Sequence, residues 1–228
     1  QAAGLLESDH GGSMGKTLHV GKAVYNGMLS AYLARNGFTG SGTIFEGKEG
    51  FLKTMVVDSA DFKQEDFSFE NILQDVGKVR VRDIYFKKYP FCRHIHSAID
   101  STLVLKNESK ESNELNDLKD LEIDYSDISS IDIETYKIAS EHDNYNPKNA
   151  QDLKQSLPYA VAIALVLDDL SLDSIDELID NGLFDEKSSD KDILKIKEIV
   201  SKINIDNLFI LRIGIGFIYH RRSFTSAV

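Results

Sequence analysis

One cysteine, Cys92, serves the whole 228-residue chain. An internal disulfide is therefore excluded, and a reducing cytoplasm is the fitting compartment. With no second Cys and no His-x-x-x-His pair, the chain offers no metal-binding motif. Positive charge is scarce as well. Twenty-six Lys and Arg stand against 37 Asp and Glu, for a formal net charge of −11. Such a balance argues against wrapping nucleic acid. No apolar run reaches the ~20 residues that span a bilayer, so no membrane partner is expected. The opening QAAGLLES lacks a Met and a basic segment, so it does not read as a signal peptide, and it resembles the interior of a helix. The glycines of 37–51 do not follow a strand with dinucleotide-binding spacing. Asp168, Asp169, Asp173 and Asp176 lack the glycine and terminal glutamate of a calcium loop, and helix capping accounts for them better.

What remains is an ordinary globular composition, 42% hydrophobic and 28% charged, with length for a substantial core. Its densest chemistry is YFKKYPFCRHIH, from Tyr85 to His96. That stretch gathers Lys87, Lys88, Arg93, His94, His96 and Cys92 around one proline. Cations, titratable groups and aromatics together are what a pocket for a small anionic substrate needs. Taken singly, the same lysines and arginine fit a solvated surface, and a lone cysteine fits a small buried hydrophobe. A weaker echo, GKTLHVGK, runs from Gly15 to Lys22.

Periodicity sets the elements. Apolar and small residues at spacings of three and four predict a packed helix over Val20–Asn36, stopped at Asn36-Gly37. A glycine-punctuated loop follows to Phe51. Val57–Val76 reads as helical. Lys78–Phe86 alternates and predicts a strand or extended segment. Ala98–Lys106 reads as a helix and Glu111–Leu121 as charged surface. Ser129–Ser140 alternates as a half-buried strand carrying Tyr136 on its polar face. Pro158 suits the first turn of a buried helix over Tyr159–Leu167. Ser171–Asp180 and Asp190–Lys202 read as amphipathic helices with acidic first turns. The tail from Asn207 turns apolar and arginine-rich, an aggregation hazard if unpaired.

Six segments, in order, resemble the MmgE/PrpD family of cofactor-independent enzymes of small polycarboxylates. They are QAAGLLE, GKTLHVGKAVYNGMLSAYLARNGFTG, TIFEGKEGF, YFKKYPFCRHIHSAID, IDIETYKIA and QSLPYAVAIAL. The resemblance implies an α+β fold. Residues 1–76 would be the last helices of an all-helical domain, 77–206 a smaller α+β lid with an antiparallel sheet, and 207–228 an atypical tail. It implies no cofactor, a small di- or tricarboxylate substrate, and a homodimer formed through the helical domain. Family members include 2-methylcitrate dehydratase, cis-aconitate decarboxylase and iminodisuccinate epimerase, all of which handle a carbanion-like centre next to a carboxylate.

Carried over residue by residue, Lys16 matches the lysine of the family's Lys-x-Leu-His-x-Gly motif, Lys87 the lid lysine and Tyr136 the tyrosine of the lid strand. Lys16 and Arg93 are expected to clamp substrate carboxylates, with Lys87 and Tyr136 polarising or moving a proton. Cys92 stands where the decarboxylase branch has a histidine. Beside Arg93 and Lys88 it suits proton transfer in a dehydratase or epimerase. His96 is a candidate second acid or base, whereas His94 and His19 are read as structural. The family places a further helical half ahead of this start. The resemblance therefore implies a missing N-terminal half, in a longer polypeptide or on a partner chain, and an isolated chain without turnover. The alternative is a catalytically incomplete fragment or a non-catalytic binding subunit.

Overall fold

The structure is a computed structural model describing residues 13–55, 74, 77–78, 80–115, 125, 128–207 and 212–214. It divides into two units, one over Thr17–Phe86 and one beginning at Lys87, with Lys16 grouped in the latter. Most of the expected helix over Val57–Val76 lies outside the described residues.

Helix α1 (Gly15–Arg35), whose residues from Thr17 onward belong to the first unit, ends where the sequence predicts. Gly37 adopts φ +83°, its N–H donates to Ala34 O at 3.0 Å, and Phe38 N–H returns to Leu33 O at 3.0 Å. Only glycine enters that left-handed cap without a Cβ clash. The expectation of a packed helix is not met, because no residue of α1 is buried. Val20, Val24, Met28 and Tyr32, spaced by four, are all more than half exposed. The loop that follows folds back on itself, with Phe51 and Leu52 N–H donating to Ile44 and Phe45 O, and leads into α2 (Phe51–Met55). A Cβ on Gly50 would lie 2.7 Å from Phe45 O and 2.8 Å from Ile44 O, so the close approach requires glycine. The described residues of 78–86 form no strand. A 3-10 turn occupies Arg80–Asp83, and Ile84, Tyr85 and Phe86 are exposed. Strand propensity is realised only against a partner, and none pairs with this segment among the described residues.

The second unit holds the core. Its elements are α3 (His96–Leu115), β1 (Ile131–Thr135), α4 (Lys137–Ser140), α5 (Ala150–Leu153), α6 (Leu157–Val166), α7 (Leu172–Asp180), α8 (Lys191–Val200), β2 (Ile203–Asn207) and β3 (Arg212–Gly214). Helix α6 is buried from Leu157 through Leu165 and packs against α3 and α8. Pro158 sits in its first turn, and Ser156 caps it by accepting from Tyr159 N–H at 3.2 Å. Each fully buried aliphatic side chain of such a helix stabilises by roughly 1.5–3 kcal/mol. Ser171 and Asp190 cap α7 and α8 in the same way, as their acidic, hydroxyl-bearing starts predict.

Strand β1 alternates as expected, with Ile131, Ile133 and Thr135 buried, but the strand expected to run to Ser140 ends at Thr135, because Tyr136 is the N-cap residue of α4. The α+β class holds, but the antiparallel sheet does not. β1 pairs with β2 in parallel over five residues, Ile131 facing Ile203 and Thr135 facing Asn207. Among the described residues only the three-residue β3 runs antiparallel, on the other edge of β1. A parallel pair requires a long crossover, and α4–α8 provide it between the two strands. Asn204 Nδ2 donates to Asp132 Oδ1 at 2.9 Å, which fixes the register across the pair. Among the described residues, no helix is long and apolar enough to cross a membrane.

Candidate active site

The cation-rich motif enters the second unit as a tight turn. Cys92 is the N-cap residue of a 3-10 turn over Arg93–Ile95, which runs directly into α3. Apolar Tyr89, Phe91 and Ile95 anchor the turn in the core, so Arg93 and His94 are thrown outward. The Cys92 N–H donates to Lys154 O at 2.7 Å, and Leu157 N–H donates to His142 O at 2.8 Å. One short turn between α5 and α6 therefore holds Cys92 by one backbone bond and His142 by another.

The result is a cleft of about 720 Å³, inside the range of roughly 300–1,000 Å³ typical of small-molecule sites. Lys16, Lys87, Cys92 and Arg93, singled out from sequence, all line it. Glu141, Asp143 and Asp152 line it too, so its charge is mixed rather than uniformly positive. Lys88 is elsewhere. It pairs with Asp100 at 3.0 Å, alongside Tyr89 Oη, which donates to the same carboxylate at 2.7 Å.

His142 was not singled out from sequence, and it lies at the centre of the site's hydrogen bonding. Its Nε2 is 3.4 Å from Cys92 Sγ, and its ring stacks on that of His94 with centroids 6.0 Å apart. His94 Nδ1 in turn lies 2.7 Å from Tyr136 Oη, whose one proton goes to that nitrogen or to His94 O at 3.2 Å according to the imidazole tautomer. Tyr136, the residue after β1, thus reaches the cleft through His94, which lines it. Burial, then the nearby His142 and the cations Lys16, Arg93 and Lys87, push the His94 pKa below its ordinary value. Burial and the proximity of Cys92 raise that of Tyr136, so at neutral pH the phenol keeps its proton and donates.

His96 sits apart, in the core. It is 3% exposed, packs edge-on against Tyr89, and its Nε2 approaches Phe91 O at 3.3 Å. Lys87 Nζ donates to that same carbonyl at 3.2 Å, so His96 meets the cleft only through a shared acceptor. Burial lowers its pKa as well, which favours the neutral ring that donates to Phe91 O. Among the described residues no group of three or more His, Cys, Asp or Glu could hold a metal ion.

Two family models match the chain. The MmgE/PrpD C-terminal domain covers residues 89–205 and the MmgE/PrpD N-terminal domain residues 1–65. The chain belongs to the MmgE/PrpD family. No curated protein matches it. Of the site residues, Cys92, Arg93, His94, His96, Tyr136 and His142 fall within the matched MmgE/PrpD C-terminal domain, and Lys16 within the N-terminal one. Lys87 lies between the two matches.

Proposed function

We propose that this chain forms part of a cofactor-independent lyase or isomerase that acts on small di- or tricarboxylates, in the manner of a 2-methylcitrate dehydratase. One observation carries the reading: a single cleft gathers three cations with a thiol and two imidazoles. Removing a proton next to a carboxylate leaves negative charge on carbon and oxygen. Cations fixed where that charge develops stabilise the transition state more than the ground state. In this reading Lys16 and Arg93 hold the substrate carboxylates. Lys87 polarises the one beside the reacting carbon, Tyr136 donates through His94, and Cys92 moves the proton. Carboxylates such as Glu141 can accept from the hydroxyl group that a hydroxy acid carries.

The test is proton exchange. The chain, with any chain that co-purifies from its source, is incubated in D2O with a panel of hydroxylated di- and tricarboxylates and followed by NMR. Loss of the proton next to a carboxylate is expected, and Lys87→Ala should slow it by about 10²-fold or more. Absence of exchange with every panel member, or equal rates in the variant, would sink the proposal.

A second reading, a binding subunit without turnover, is favoured by α1, whose apolar positions Val20, Val24, Met28 and Tyr32 are exposed. Saturable polycarboxylate binding with no exchange would select it.

A further inference from the structure

We propose that His142 is the proton partner of Cys92, so that thiol and imidazole work as one proton-transfer pair. The Sγ–Nε2 separation of 3.4 Å is hydrogen-bonding distance for sulfur, and both side chains line the cleft. The geometry is held from two sides. The turn between α5 and α6 binds the backbone of Cys92 through Lys154 O and that of His142 through Leu157 N–H. The His94 ring, stacked on the His142 ring, limits its rotation. In this scheme His142 is a catalytic residue, since it takes the thiol proton and later gives it to the departing hydroxyl.

Catalytic use of the pair rests on the lyase reading above, whereas the pairing itself does not. In a dehydration the Cys92 S–H proton first passes to His142 Nε2, giving thiolate and imidazolium. The thiolate then takes the proton from the carbon next to the carboxylate, and its electron pair stays on that carbon. As that pair forms the new double bond, the imidazolium proton leaves with the departing hydroxyl as water. Thiol and neutral imidazole are restored, and atoms and charge balance.

The experiment follows alkylation of Cys92 by iodoacetamide as a function of pH, read by intact mass. Cys92 is the one cysteine of the chain, so every added carbamidomethyl group reports on it. Substrate is absent, which separates failure of the pairing from failure of the lyase reading. The wild-type rate should rise through the imidazole range, about pH 6–7. His142→Gln should abolish that rise and lower the rate at pH 7 about tenfold, because the thiolate is the nucleophile. Lys16, Lys87, Arg93, Glu141, Asp143 and Asp152 surround the pair in both proteins, as do His94 and Tyr136, so the difference between the two profiles belongs to His142. A loss of less than about threefold overturns the proposal. Should the variant not fold, the wild-type profile decides alone. A rate that rises only above about pH 8, as for an isolated thiol, overturns the pairing.

Discussion

Lys106 is a buried ammonium, with its side chain only 5% exposed. It is tolerated because it ends at a helix C-terminus. Nζ donates to Leu167 O at 2.8 Å and Ala164 O at 3.4 Å, and pairs with Asp168 at 3.0 Å. The last carbonyls of α6 carry partial negative charge and no intrahelical partner, so a cation there offsets two desolvation costs at once. Lys106→Met should lower stability by about 1–3 kcal/mol, because carbonyls it served are left buried. Asp168→Asn should shift it by less than about 1 kcal/mol, since that carboxylate is solvated. Urea denaturation of both variants checks the pair of expectations. Equal losses would mean that the ion pair, not the carbonyl contacts, holds the site. At this same scale the sequence is a partial guide to the cleft. Lys87, Cys92 and Arg93 stand within one short motif and are visible together. His142 stands fifty positions from Cys92, inside HDNYN, and carries no local signal.

Among elements, the turn between α5 and α6 has consequences beyond its length. Ser156 is fully buried, caps α6 through Tyr159 N–H, and donates to Asn144 O at 2.7 Å. That second bond fixes the loop after His142 to the start of the core helix. Ser156→Ala should therefore cost about 1–3 kcal/mol, more than a surface cap, because Asn144 O loses its donor. It should also slow Cys92 alkylation at pH 7, because the loop carrying His142 is loosened. Thermal unfolding and the labelling assay read the two effects separately. A Tm unchanged within error would show that Ser156 is not structural. Helices with strong local signals, such as α6 with its cap and proline, are legible in sequence because capping is a local interaction. Lys78–Phe86 is misread for the opposite reason: alternation records what a strand would need, not whether a partner is there.

For the molecule as a whole, proton linkage sets the response to acid. His94 and His96 both have folded pKa values below the ordinary 6.5, chiefly from burial. The unfolded chain therefore binds their protons more readily than the folded one. Their contribution to stability is complete above about pH 6.5 and is lost as pH falls toward the folded values. Asp100 and Asp169 are shifted down from 3.8, so their losses begin at lower pH and do not overlap this window. The urea midpoint should fall between about pH 7.5 and 5.5, and the His94→Gln, His96→Gln double variant should flatten that slope. An unchanged slope in the double variant would assign the linkage to other groups.

The sequence by itself determined the α+β class, the family, the capped helices of the second unit and the motif that supplies thiol and cations. Each rests on interactions between residues close in the chain, or on an ordered run of motifs. The tertiary structure alone decided the parallel pairing of β1 with β2, the exposure of α1, the withdrawal of His96 into the core, and the meeting of Cys92 with His142. These depend on where a distant segment returns in space. Two backbone bonds from one turn, to Cys92 and to His142, settle the last of them.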